Sequence, residues 1–143
     1  MIRYLLDSNV ISNATKPFPS QLLAAWLMDQ FSENLYISSI TVAEIWRGVL
    51  EKPAGRKRRD LEKWFHGPEG PKSLFADRIL PFDASAGMIW ARLMFEGTKA
   101  GQPRSPLDMI LAAIAEANDC ILVTGNEKHF VGLKFINPMR SAI

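Results

Sequence analysis

Short apolar runs of three or four residues alternate along the chain with longer stretches in which apolar residues return every three or four positions, the signatures of buried strands and amphipathic helices. Tyr4 to Leu6 reads as a strand stopped by Asp7, and Val10 and Ile11 begin a short helical or irregular segment that Pro17 and Pro19 close. Ser20 is placed to cap a helix carrying Leu22, Leu23, Trp26 and Leu27 on one stripe. Leu35-Tyr36-Ile37 reads as a second strand, and residues 40–51 as a helix with Val42, Ile45, Trp46, Val49 and Leu50 on one face and Glu44 well off it. After the break at 52–55, a basic segment opens another helix that ends near Trp64 and Phe65, and the Gly and Pro content of 66–71 predicts a plain loop. Residues 79–82 read as a third strand ending on Asp83, which caps a helix with Ala86, Ile89, Trp90 and Leu93 on its core face; 97–103 reads as a loop. Ser105 and Pro106 form the expected N-cap and first-turn pair of a helix burying Ile110, Leu111, Ile114 and Ala115. Ile121-Leu122-Val123 is a strand ending in Thr124-Gly125-Asn126, followed by a short helical turn and a last strand at Phe135-Ile136. Such alternation predicts one α/β domain over residues 1–143, a mostly parallel central sheet with helices on both faces.

Composition narrows the setting. A chain of 143 residues is the size of one ordinary domain and can bury a real core. Its apolar runs are too short and interrupted to span a bilayer, and the start lacks the charged-then-apolar order of a secretory signal. The single cysteine, Cys120, excludes an internal disulfide and a cysteine-rich zinc site, so a cytoplasmic location is expected. Net charge is only +2, but between Arg47 and Lys63 seven basic residues stand against three acidic ones. That excess, densest at Arg56, Lys57, Arg58 and Arg59, is read either as a phosphate-attracting patch or as a solvated helix face.

Parallel strands joined by right-handed crossovers bring the residues after each strand to one edge of the sheet. Here that edge collects Asp7-Ser8-Asn9, Ser38-Ser39 and Thr124-Gly125-Asn126, with Glu44 and Asp108 supplied from helices. Converging carboxylates with small polar neighbours suit a hard divalent cation such as Mg2+, which needs only one or two direct carboxylates and keeps several waters. Each carboxylate also has a plainer reading: Asp7 as a cap, Glu44 as a partner of Arg47 one turn on, and Asp108 as part of a capping pattern with Ser105. Phosphate-binding loops of the G-x-x-x-x-G-K-[ST] and G-x-G-x-x-G kinds and a G-x-S-x-G nucleophile turn are absent from the sequence. His129 reads as a surface residue of a short helix, and His66 as isolated, which disfavours zinc. Trp26, Trp46 and Trp90 fall on apolar stripes, whereas Trp64 lies beside the basic cluster, where it is read as stacking on a nucleic-acid base, lining a groove for a partner helix, or covering a core edge.

Four segments in order resemble the PIN domain family, specifically the VapC-type ribonuclease toxins of bacterial toxin–antitoxin pairs. They are Leu5-Leu6-Asp7-Ser8-Asn9-Val10-Ile11-Ser12, Ser38-Ser39-Ile40-Thr41-Val42-Ala43-Glu44-Ile45, Leu107-Asp108-Met109-Ile110-Leu111-Ala112-Ala113 and Leu122-Val123-Thr124-Gly125-Asn126, followed by a similar closing stretch from Phe130 to Pro138. The resemblance covers nearly the whole chain. It implies a PIN-like fold and a metal-dependent endoribonuclease with Asp7, Glu44 and Asp108 as the acidic site. Asp7 and Asp108 would ligate Mg2+ or Mn2+, and Glu44 would be a ligand or hold a water. Ser8, Asn9, Thr124 and Asn126 would complete the pocket. It further implies an RNA substrate, a homodimer, and a VapB-type antitoxin that blocks the cleft. The chain departs from the family where members often carry a further Asp, having Asn126 in one such place and His129 before Phe130 in the other. One well-defined metal site and a weak or absent second one are therefore expected, with Glu127 a possible substitute acid. The competing reading is a PIN domain with weakened catalysis that binds RNA or protein.

Overall fold

The computed structural model describes residues 1–140. β1 (Arg3–Leu6) leads into α1 (Ser8–Ala14) and α2 (Gln21–Met28); β2 (Leu35–Ser38) leads into α3 (Ser39–Leu50), α4 (Arg56–His66) and α5 (Pro71–Leu74). β3 (Ile79–Leu80), α6 (Ala84–Lys99), α7 (Pro106–Ala117), β4 (Cys120–Val123) and β5 (Phe135–Ile136) complete the order, with a 3-10 turn at Glu127–Phe130. The five strands form one sheet in the order β3-β2-β1-β4-β5, and every pairing is parallel. β1 is central. The chain winds outward from it through β2 to β3, then crosses back to β4 on its other side, so the switch of winding direction falls between β1 and β4.

Successive residues of β1 face opposite sides of the sheet and seed two cores. Leu5 joins Leu93, Met109, Ile114, Leu122 and Phe130 beneath α6 and α7. Leu6 joins Val10, Ile11, Leu23, Ile37 and Val123 on the side of α1 and α2. Side-chain caps start the helices where sequence places them: the Ser20, Asp83 and Ser105 side chains accept from Leu23, Ala86 and Asp108 N–H. Ser38 likewise accepts from Thr41 N–H at the start of α3.

Several boundaries differ from expectation. The segment expected as loop over 66–71 runs into α5, started by Pro71 in the first helical turn. The third strand is two residues long, because Pro81 cannot donate to the ladder. α6 continues past Gly97 to Lys99; a Cβ at Gly97 would stand 2.9 Å from Arg104 Cγ and Cδ, so this glycine serves close approach rather than a loop. α7 buries Met109, Ala112 and Ala113 as well as Leu111, Ile114 and Ala115, because β4 and α6 cover it from two sides, while Ile110 is only half-buried. Among the described residues no helix is long and apolar enough to cross a membrane.

Leu5 is fully buried and Leu74 is 53% exposed, which sets a contrast. Leu5→Ala is expected to cost about 2–5 kcal/mol of stability, and Leu74→Ala no more than about 0.5 kcal/mol, both read from urea unfolding midpoints.

Candidate active site

At the switch point, β1 ends on Asp7, which is 6% exposed and is also the N-cap of α1. A carboxylate so placed must have its oxygens satisfied locally. Asp7 Oδ1 accepts from Ser8 N–H at 2.7 Å. Oδ2 accepts from Asn9 Nδ2 and from the Thr124 hydroxyl, both at 2.8 Å. Thr124, fully buried at the end of β4, accepts in turn from Asn126 N–H at 3.0 Å. Asn9 Oδ1 accepts from Gly125 N–H at 2.8 Å, which closes a ring between the ends of β1 and β4. Gly125 packs closely there: a Cβ would stand 2.5 Å from Met139 Cε, which would have to move, and 3.2 Å from Asn9 Oδ1.

Glu44 on α3 and Asp108 in the first turn of α7 complete an acidic group. Burial pushes the Asp7 carboxyl above its ordinary range; bonds from Thr124 and Ser8 oppose this, and the charge of Asp108 adds to it. Burial also raises Glu44, and the negative charges of Asp7 and Asp108 reinforce the shift, against the nearby Ser8 hydroxyl and Arg47. The three carboxylates thus lie within electrostatic reach of one another. Arg47 bonds Glu51 at 3.4 Å, so the plainer role for Glu44 as its ion-pair partner is not realised. α1 and α7 both start at this edge, and their N-terminal dipoles favour the negative charge gathered there.

The remaining expected residues fall as follows. Ser8 and Asn9 bond Asp7 directly, whereas Asn126 contributes its backbone N–H to Thr124 and has an exposed side chain. Glu127 does not turn inward: its oxygens accept from Asn137 Nδ2 at 2.9 Å and Arg140 at 2.7 Å, and it titrates below its ordinary value, chiefly through the Asn137 bond. His129 is exposed, as expected, but its Nδ1 also stands 3.2 Å from Asp108 Oδ2, a contact its spacing of 21 positions from Asp108 conceals. In the basic run, Arg58 pairs with Glu62 at 2.9 Å and Arg56 and Arg59 are exposed. Lys57 alone of the four lines a cavity of about 740 Å3 that begins at Ser8 and Glu44.

Among the described residues, no three His, Cys, Asp or Glu side chains come close enough to share one ion. The donor chemistry still fits a hard cation: carboxylate oxygens, those of Asp7 and Glu44 raised by burial and like charge that a cation would relieve, suit an ion that keeps most of its water.

Comparison with known proteins identifies the family. Residues 4–135 match the PIN domain family. The chain is 36% identical over 140 residues to the VapC ribonuclease Y4jK of Sinorhizobium fredii, covering 96% of this chain and 99% of that one. It is 35% identical over 126 residues to the toxin FitB of Neisseria gonorrhoeae, covering 88% and 89% of the two chains. Among solved structures it superposes with TM-score 0.88 and 32% identity on a chain of FitAB bound to an IR36 DNA fragment, covering 100% and 99%. It superposes with TM-score 0.86 and 34% identity on a chain of FitAcB from Neisseria gonorrhoeae, covering 96% and 98%.

The raised Glu44 carboxyl has a consequence for stability. Folded protein holds this proton more tightly than unfolded chain, so the penalty is absent below the ordinary value of 4.5 and grows as pH rises through the folded value. With chelator present, Glu44→Gln is expected to raise the urea midpoint at pH 7 and to lose that advantage near pH 4. An equal gain at both pH values would assign the effect to something other than charge.

Proposed function

Because the chain belongs to the PIN domain family, we propose that it is a metal-dependent endoribonuclease, the toxin of a toxin–antitoxin pair acting in the cytoplasm. The observation that carries this reading is that Asp7, Glu44 and Asp108, from the end of β1 and from α3 and α7, lie within electrostatic reach of one another along one edge of the sheet. Relatives named as VapC ribonucleases support the reaction class. Solved relatives titled as FitAB and VapBC complexes support an antitoxin partner.

In this reading Asp7 and Asp108 hold Mg2+, or Mn2+, which when bound polarises a phosphoryl oxygen and acidifies water. The chain's own groups supply the rest. Ser8, Asn9 and Thr124 fix the Asp7 carboxylate in a single orientation. Glu44, whose raised pKa brings it nearer the operating pH, takes a proton from the water that attacks phosphorus. Asn126 holds Thr124 through its backbone. A homodimer is supported by apolar surface on α6, where Met88 is 75% and Phe95 64% exposed one heptad apart on one face. The alternative, a binding module with weakened catalysis, is not favoured while all three carboxylates are retained.

Purified protein incubated with a mixed RNA pool is expected to cleave it with Mg2+ or Mn2+ and to stop with chelator. Asp7→Asn is expected to lower the rate roughly 100-fold or more at unchanged circular dichroism. Absence of cleavage under every metal condition by antitoxin-free protein would overturn the reading. Since Asn126 and His129 add no carboxylate beside Asp108, crystals soaked in Mn2+ are expected to show one fully occupied ion. Two fully occupied ions would contradict that expectation.

A further inference from the structure

The cavity that begins at Ser8 and Glu44 runs between α1, α3 and α4, and at about 740 Å3 it falls within the size range of ligand sites, about 300–1,000 Å3. Its α4 wall is made by Lys57, Leu61 and Trp64, spaced four and three residues apart and so stacked on one helical face. Trp64 differs from its counterparts. Trp46 packs against Phe65 and His66, Trp26 against Tyr4, and the Trp90 indole donates to Pro106. Among the described residues the half-buried Trp64 ring has neither an aromatic neighbour nor a hydrogen bond, and it lines the cavity.

Charge around the cavity is uneven in a way that selects an occupant. Lys16, just past α1, Lys52, just past α3, and Lys57 on α4 line it, and among the described residues none of them is in an ion pair. Of the two acidic residues that line it, Glu51 is bonded to Arg47 and Glu44 belongs to the acidic group at the cavity's end. The free charge along the wall is therefore cationic. An aromatic face among lysines, leading to carboxylates, matches single-stranded nucleic acid, whose unstacked bases offer π-faces and whose phosphates offer charge.

We propose that this cavity is a nucleotide subsite: Trp64 stacks a base of a single-stranded RNA, and Lys57, with Lys16 and Lys52, holds the neighbouring phosphates so that the next phosphodiester lies at Glu44. This rests on the ribonuclease reading of the adjoining carboxylates. It also gives the basic run a division of labour in which Lys57 faces substrate while Arg58 is tied to Glu62 on the helix surface.

The test separates binding from cleavage by working in the Asp7→Asn background. A fluorescein-labelled, mixed-sequence, short single-stranded RNA is titrated by anisotropy against that protein and against versions also carrying Trp64→Ala, Trp64→Phe or Lys57→Gln. Trp64→Ala is expected to weaken binding roughly 5- to 150-fold, the range for loss of one stacked base, and Trp64→Phe to restore most of it. Lys57→Gln is expected to weaken binding and to reduce the slope of log affinity against log salt by about 0.7. Unchanged RNA affinity in Trp64→Ala and Lys57→Gln overturns the proposal, and loss of antitoxin affinity in the same variants would then assign the cavity to a peptide. Equal loss in Trp64→Ala and Trp64→Phe also overturns it, since stacking would survive in the second. Cleavage by the wild-type chain, measured in parallel, keeps the two readings apart. Cleavage with Trp64-independent binding sinks the subsite alone, and Trp64-dependent binding without cleavage sinks the ribonuclease reading alone.

Discussion

A carboxylate that is almost wholly out of water dominates the upper edge of this sheet. Asp7 sits where its charge is disfavoured, and the surrounding donors are arranged to answer it: a backbone N–H from the first turn of α1, an amide from Asn9 and a hydroxyl from Thr124. Each of those donors is itself held in turn. Asn9 is fixed by Gly125 N–H and Thr124 by Asn126 N–H, and Gly125 packs closely against Asn9 and Met139. Removing Asn9 or Thr124 would take one of two donors from Asp7 Oδ2 and leave Gly125 N–H or Asn126 N–H without its acceptor, so local geometry at β1 and β4 is tied to a single charge.

Around that charge the topology does the rest. With β1 central and the winding reversed beside it, helices α1 and α7 both begin at the same edge and aim the positive ends of their dipoles toward it. Asp108 therefore approaches Asp7 although 101 positions separate them in the chain numbering. The like charges are kept close by two cores that were assembled for packing, one on each face of the sheet. Burial raises two of the three carboxyls, and the cost is carried by those cores.

Much of this was legible in residue order. Strand ends carrying Asp7, Ser38 and Thr124, caps at Ser20, Asp83 and Ser105, and the placement of Asp108 in a first helical turn all follow from local chemistry, and local chemistry decided them. Features set by distant neighbours were not legible. Gly97 looks like a loop residue until Arg104 is seen packed against it, and the contact of His129 with Asp108 has no local signature. Glu127, near the site in sequence, is drawn away by Asn137 and Arg140. The basic run reads as four equivalent charges, and only the helix phase sorts Lys57 to the cavity and Arg58 to Glu62. The extra breadth of burial on α7 likewise depends on what covers it from both sides.

The ring joining Asp7, Asn9, Thr124 and Gly125 spans separations of 115 to 117 residues. Two of its members stand just past β1 and two just past β4, with most of the domain between them. A growing chain that already carries Asp7 and Glu44 has no Thr124 to orient Asp7, and no β4 beside β1, until the segment through Thr124 has been made. The geometry on which the proposed activity rests is thus missing from a growing chain, and from any product of termination upstream of β4, until β4 takes its place beside β1.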